Sequence, residues 1–340
     1  MTIAPSRALP GFDHLHRLTD RRGLFEHALH GNPRPEHGYC LDDVARALAV
    51  ICRAPDPSAA MRALGRQYLD FTLAAIDADG RCHNRMSVDG SWTDTPAVED
   101  WWGRAVWGLG VAAVHAPTQS MRARALLGFR QAAQVRSPHP RSMAFAALGA
   151  GELLLHREEM AAEELLRDAV VAIGPNSDDP AWPWPQPRLT YGNGSIVEAL
   201  LLAGAALPQP STIERALELL GFLLETETLD GHLSVTPVGG RGPADAKPEF
   251  DQQPIEVAAI AGACARAYEL TADARWRHGV QMAWAWFNGD NDRAMLMFDP
   301  RTGGGFDGLM RHGPNLNQGA ESTLALLSTA QHAWQLDLLG

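Results

Sequence analysis

Two kinds of helical segment alternate along the chain. One kind opens with polar residues and then becomes almost wholly small and apolar: LDDVARALAVIC (41–52), EDWWGRAVWGLGVAAV (99–114), PRSMAFAALGAGELLL (140–155), YGNGSIVEALLLAGAAL (191–207), FDQQPIEVAAIAGACARAY (250–268) and NQGAESTLALLSTAQHAW (317–334). The other kind is amphipathic, with a charged face: MRALGRQYLDFTLAAI (61–76), SMRARALLGFRQAAQV (120–135), EEMAAEELLRDAVVAI (158–173), TIERALELLGFLLETE (212–227) and ARWRHGVQMAWAWFN (274–288). A helix that is apolar all round is buried on every side, whereas an amphipathic one lies at the surface. Alternation at a near-regular spacing predicts stacked helical hairpins, inner helix then outer helix. The outer set is one short, and FDHLHRLTD (12–20) is the candidate that completes it. The expected fold is all-α, an α/α six-hairpin toroid of six inner and six outer helices forming one domain over 1–340, with 1–11 as a flexible tail.

The inner helices carry their polar residues only at the head. In EDWWGRAVWGLG (99–110) both acids, both tryptophans and the arginine fall in the first turn and a half. When helix directions alternate around a ring, the inner N-termini meet at one mouth. Helix N-termini favour acids, as caps and through the macrodipole. The polar heads are therefore expected to face a common cavity.

The segments feeding that mouth are long. GRCHNRMSVDGSWTD (80–94) alternates around a DG turn and predicts a β-hairpin, and GHLSVTPVGGRGP (231–243) predicts a second short strand pair. WPWPQPRLTYGNG (182–194) is a rigid Trp/Pro loop, and 287–323 is the longest irregular stretch. Long loops in a compact domain are commonly binding loops. Their Trp, Tyr, Asn, Gln and carboxylate content suits sugars, since aromatic faces stack on pyranose C–H surfaces and planar acids and amides bind hydroxyl pairs.

Composition removes several other classes. With 340 residues, 46% hydrophobic, the chain can bury a large core. Its net charge of −11 argues against a nucleic-acid partner, which needs clustered cations. No stretch approaches the apolar length of a membrane span, and the first twenty residues lack a secretory signal pattern, so the expected location is the cytoplasm. Cys40, Cys52, Cys82 and Cys264 show no CxxC spacing, and 288–299 lacks the EF-hand pattern. HExxH, GxGxxG and P-loop motifs are missing, so neither metal nor cofactor is expected.

The candidate residues are the helix heads. Asp42 and Asp43 cannot both cap one helix, and Arg46 stands one turn on. Asp100 follows Glu99 and has Arg104 at i+4, the spacing of a helical ion pair; Trp101 or Trp102 could offer a sugar platform. Asp251, Gln252, Gln253 and Glu256 surround Pro254, itself suited to a first helical turn. Asn317 and Gln318 precede Glu321. Tyr191 and Asn193 head the fourth inner helix, Arg141 and Ser142 the third, and His37 and Tyr39 lie just before the first acid pair.

EHGYCLDDVARAL, RMSVDGSW…EDWWGRAVWGLG, LTYGNGSIVEALLLAG, FDQQPIEVAA and GGGFDGL…NQGAESTLALL occur in order from about residue 12 to 334. Together they make the chain resemble a bacterial family of six-hairpin glycosidase-like domains, often fused to or encoded beside GT-B glycosyltransferases. Where that family commonly has Asn after the paired aspartates and Ser-His after Glu-Asp, this chain has Val44 and Trp101-Trp102. The resemblance implies a carbohydrate-active enzyme with an oligosaccharide or glycoside substrate and a functional association with a glycosyltransferase. Hydrolases, phosphorylases and sugar epimerases share the superfamily, and fold analogy does not choose among them. A glycoside hydrolase is the leading expectation, since a ring of acids offers the acid and base that glycoside cleavage requires. Asp100 is expected as the general acid and Asp43 or Glu321 as the base, with Asp251 a further catalytic candidate. A phosphorylase using Arg104, an epimerase and a non-catalytic glycan-binding partner of a glycosyltransferase are the alternatives.

Overall fold

The computed structural model describes residues 9–246 and 250–339. Its helices, in chain order, are α1 (Asp13–Leu18), α2 (Leu41–Cys52), α3 (Ala59–Ala74), α4 (Asp100–His115), α5 (Gln119–Ala132) and α6 (Pro140–Leu154). They continue with α7 (Met160–Ile173), α8 (Asn193–Ala206), α9 (Pro210–Glu227), α10 (Pro254–Thr271), α11 (Ala274–Phe287) and α12 (Ala320–Gln335). The even-numbered helices form the inner ring, α2 against α4, α4 against α6, and so on until α12 returns to α2. Each outer helix lies on its inner partner, and α1 completes the outer set against α12. The architecture is the α/α toroid expected from the pattern.

Burial explains the two segment types. Every residue of α8 from Asn193 to Gly204 is buried, leaving no solvent face. The outer α5 buries only Met121, Ala125, Gly128, Phe129 and Ala132, one stripe at helical spacing. The closing helix departs from the others in length. With six residues, α1 is less than two turns, but Leu15 and Leu18 are fully buried and His14 Nε2 lies 2.8 Å from the carbonyl of Gln318.

Small residues let the inner helices touch backbone to backbone. A Cβ on Gly110 would fall 2.3 Å from the carbonyl oxygen of Gly149, and one on Gly149 would fall 2.4 Å from that of Val106. Nearer the mouth, a Cβ on Gly103 would fall 2.2 Å from the Ser142 carbonyl oxygen. No Cβ fits at these contacts, so α4 and α6 pack closely, backbone against backbone.

Side-chain caps from the N-cap residue occur on three of the outer helices. The outer α3, α5 and α11 are capped by their own Ser58, Thr118 and Asp273, whose side chains accept first-turn amides. None of the six inner helices has a side-chain cap from its own N-cap residue. At three of these heads a group from elsewhere takes an amide: Asn84 that of Asp42, Glu256 that of Asn193 and Asp307 that of Gly319.

The mouth loops carry four short strand pairs, two of which correct the sequence reading. Residues 85–93 do turn around Asp89-Gly90, with Ser87 N donating to Ser91 O at 3.0 Å and Thr93 N to Arg85 O at 2.9 Å. The ladder, however, pairs Arg85–Met86 with the distant Tyr39–Cys40, because that strand leads directly into α2 and needs a partner. The second pair lies at Thr228–Leu229 and His232–Leu233, around Asp230-Gly231 with both φ values positive, rather than over 231–243. The chain beyond it makes isolated bridges instead, Pro237 to Gln252 and Arg241 to Leu189. The remaining pairs are Ala28–Leu29 with Asn32–Pro33 and Gly308–Met310 with Gly313–Asn315. Among the described residues, no helix is long and apolar enough to cross a membrane. Of the expected tail, residues 1–8 lie outside the described residues.

Candidate functional site

The inner-helix N-termini surround a cavity of about 510 Å³. Asp42, Asp43 and Arg46 reach it from α2, Asp100 and Trp101 from α4, Asp251 and Gln253 from the segment before α10, and Glu321 and Ser322 from α12. A neighbouring cavity of about 270 Å³ shares Gln253 and Glu321 and extends to Tyr191 and Glu256.

Arg46 organises one wall. Its Nη2 donates to Asp42 Oδ2 at 2.5 Å and Asp43 Oδ1 at 2.6 Å, and its Nη1 donates to Glu321 Oε2 at 2.9 Å. One buried guanidinium therefore gathers three carboxyls from the two helices that close the ring. The two aspartates diverge electrostatically. Burial pushes Asp42 up, but Arg46 and Arg104 outweigh it and hold its carboxyl below the ordinary range. At Asp43 burial and the adjacent Asp42 charge prevail over Arg46, and its carboxyl is pushed well up.

Asp100 is held differently. Ser142 Oγ donates to its Oδ1 at 2.7 Å, and the Tyr191 hydroxyl donates to its Oδ2. Burial, then the contact with Asp100, pushes the Tyr191 phenol well above its usual range, so it remains a donor. The expected pair with Arg104 does not form. Arg104 instead stacks over Phe145, 3.6 Å from the ring centroid, with its Nε 3.5 Å from Asp42.

Across the cavity, the α10–α12 side carries further acids whose pKa is raised. Asp251 Oδ1 is buried without a hydrogen-bond partner, and burial followed by the nearby Asp307 raises its pKa. Asp307 is itself raised by burial, against hydrogen bonds from Ser322 and the Gly319 amide. Glu256 is buried beneath the head of α8, where the Gly192 and Asn193 amides and Asn193 Nδ2 donate to it. Burial prevails over those donors and pushes its pKa up to about 7.

Several expected contacts fall elsewhere. Trp102 is wholly buried and donates to the Ala132 carbonyl, since it lies about 100° around the helix from Trp101. Tyr39 is also in the core, stacked on Phe25 with its hydroxyl on Asp20. Gln252 turns away from the cavity and donates to Asp292, while its neighbour Gln253 faces in. Gln318 is buried against Thr302, and Asn317 accepts from the His30 amide. Asn193 accepts from Thr190 N and serves Glu256. Glu99 points outward, 3.3 Å from His139, and His37 packs edge-on to His27. Arg104 borders a separate narrow cavity of about 50 Å³ rather than the mouth.

Other lining residues were not singled out from the sequence: Glu26, His27, Asn84, Arg85 and Asp307. They come from loops whose partners are remote, as with the Tyr39–Cys40 and Arg85–Met86 pairing. Asn84 and Arg85 stood within the predicted hairpin 80–94 and Asp307 within GGGFDGL, but in each only the segment and not the residue was marked.

No family model matches the sequence, and no curated protein does either. Solved structures match along almost the whole chain. A sugar epimerase from a ruminal bacterium superposes with a TM-score of 0.70 at 13% identity, covering 95% of each chain. A cellobiose 2-epimerase from Bacillus thermoamylovorans gives 0.72 at 11% identity, again over 95% of each chain. A cellulase from C. cellulolyticum, solved with cellobiose, gives 0.63 at 10% identity, covering 92% of this chain and 87% of that one. The chain shares the six-hairpin α/α toroid fold of these enzymes.

Proposed function

We propose that this protein is a carbohydrate-active enzyme that hydrolyses a glycoside or oligosaccharide in the 510 Å³ mouth cavity. The observation that carries the reading is the presence in that cavity of two carboxyls held in different ways. Asp251 has an unpartnered oxygen and a raised pKa, the condition for a general acid. Asp100 accepts from two hydroxyls, which fix its orientation in the place a base would take. This differs from the sequence expectation, in which Asp100 was the general acid and Asp43 or Glu321 the base: Ser142 and Tyr191 both donate to Asp100, while Glu99 points outward.

In this mechanism Asp251 protonates the glycosidic oxygen as the bond breaks, and the proton leaves with the departing sugar. Asp100 takes a proton from the attacking water. Arg46 offsets the negative charge of Asp42, Asp43 and Glu321, and Trp101 offers the sugar a ring at the wall. The similar structures support a sugar substrate, since their names specify a sugar epimerase, a cellobiose 2-epimerase and a cellulase.

Epimerisation is a second reading, supported by His27. It lines the cavity, 4.8 Å in ring separation from His37 and 3.6 Å from Glu26, and an imidazole can move a proton beside a sugar carbonyl. Product analysis of an oligosaccharide panel in deuterated buffer separates the readings. Hydrolysis yields new reducing ends, whereas epimerisation places deuterium on the epimerised carbon. For hydrolysis, Asp251→Asn should reduce turnover on natural glycosides by about 10²–10⁴-fold. It should retain turnover of an aryl glycoside whose leaving group needs no proton. Asp100→Asn should lose both. Equal loss on both substrates in Asp251→Asn would remove the acid assignment.

A further inference from the structure

At the opposite end of the toroid the inner-helix C-termini enclose a second cavity, of about 500 Å³, that the proposed reaction does not use. His115 closes α4, and Glu152 and His156 stand one turn apart at the end of α6. One ligand-capable atom from each of the three lies within 4.8 Å of the others. We propose that His115, Glu152 and His156 form a binding site for one divalent transition-metal ion, with zinc the best fit, open to that cavity on its fourth side.

Each side chain is already arranged as a ligand. His156 Nδ1 lies 2.9 Å from the Glu152 backbone carbonyl, which can only accept. The proton is therefore on Nδ1, and the lone pair is on Nε2. Metal-bound imidazoles are typically fixed in this way, by donating the other ring nitrogen to a carbonyl. His115 Nε2 is 2.6 Å from Glu152 Oε1, where a proton bridges them. A tetrahedral ion bound at about 2.0–2.1 Å would hold two such atoms roughly 3.3 Å apart, so replacing that proton requires only a small side-chain shift.

The carboxylate is positioned through its second oxygen. Two arginines approach Oε2 of Glu152, Arg266 at 3.0 Å and Arg53 at 3.8 Å, leaving Oε1 for the ion. The C-termini of α4 and α6 contribute partial negative charge at the same place. Two imidazoles with one carboxylate select zinc or nickel over calcium or magnesium, which prefer all-oxygen sets. Three protein ligands with an open fourth position are the arrangement of a zinc site that also holds water or a small ligand. Sequence spacing passes over this set because His115 lies 37 residues from Glu152, on another helix.

The test uses the full chain, stripped with chelator and titrated with zinc chloride by calorimetry, with cobalt absorption as a second readout. One equivalent should bind, with the visible spectrum of tetrahedral cobalt. His156→Ala and His115→Ala should each weaken zinc by more than the 10–100-fold that changes to outer-shell partners cost. Asp43→Asn and His27→Ala, at the other mouth, should keep it. His156 is exposed, so its variant should retain the wild-type fold and melting behaviour. Failure of the wild type to bind zinc overturns the site, as does full affinity in both histidine variants or loss of binding in Asp43→Asn. Sugar turnover in His156→Ala is measured alongside and should be unchanged, so the outcome is independent of the reaction proposed for the first mouth.

Discussion

The phenol of Tyr191 donates to Asp100 across the mouth, joining the heads of α8 and α4, which are not neighbours in the ring. Ser142, from the intervening α6, donates to the other oxygen of the same carboxylate. Three consecutive inner helices thus converge on one acid. Tyr191→Phe removes a hydrogen bond to a charged acceptor, worth about 1.5–3 kcal/mol. Without that donor the carboxylate keeps only Ser142 to orient it, and kcat/KM should fall by about 10–100-fold. An unchanged kcat/KM would show that the phenol does not position Asp100 for the reaction.

Arg46 should be the residue whose loss damages the mouth most. Arg46→Met leaves Asp42, Asp43 and Glu321 together without their shared cation, and breaking a buried pair costs about 3–5 kcal/mol. The pH dependence has a definite sign. Asp42 is held below its unfolded value of 3.8, so its contribution is present above that pH and is lost as pH falls through the folded pKa. The deficit of Arg46→Met in denaturant melts should therefore be largest at neutral pH and shrink as pH falls below 3.8.

Two buried glutamates act in the opposite direction. Glu256 is pushed up to about 7, and Glu227 to about 8, by burial that outweighs the Thr236 donors. A carboxyl with a raised folded pKa holds more protons in the native state than in the unfolded one, so it costs stability as pH rises. The loss should run from the unfolded value of 4.5 up to about 7 for Glu256 and about 8 for Glu227. Thermal melts across that window should show it, and Glu227→Gln should flatten the slope above pH 7.

The sequence reading and the structure agree where periodicity decides. α8 has no polar face and α5 has one, and that difference alone separates inner from outer helices. Adjacent head residues are a different matter. Trp101 lines the cavity while Trp102 is in the core, and Gln253 faces in while Gln252 turns away. A rotation of less than a third of a turn separates the two tryptophans on α4, and neighbouring helices set that rotation. Capping is no more local: Asn84 and Glu256 take inner-helix amides 42 and 63 positions away.

We expect the ring to unfold as one cooperative unit that includes its short closing helix. Deleting residues 1–22 removes Leu15 and Leu18, both fully buried against the core, and the His14 contact with the Gln318 carbonyl. At about 1.5–3 kcal/mol for each leucine, the deletion should cost roughly 3–6 kcal/mol and lower Tm markedly. An unchanged Tm would show that α1 is not needed to close the ring.

The contacts of Gly103, Gly110 and Gly149 give the mouth a calibration stored far from it. Gly110 stands roughly 15 Å along α4 from Asp100. A methyl group there would wedge α4 from α6, and the helices, being stiff, would carry the gap to their ends like the jaws of a caliper. Ser142 would then be drawn off Asp100 although neither residue had been altered. An alanine scan elsewhere in this protein subtracts atoms. At these three positions it adds one, and its effect would be read at a carboxylate that the new atom never touches.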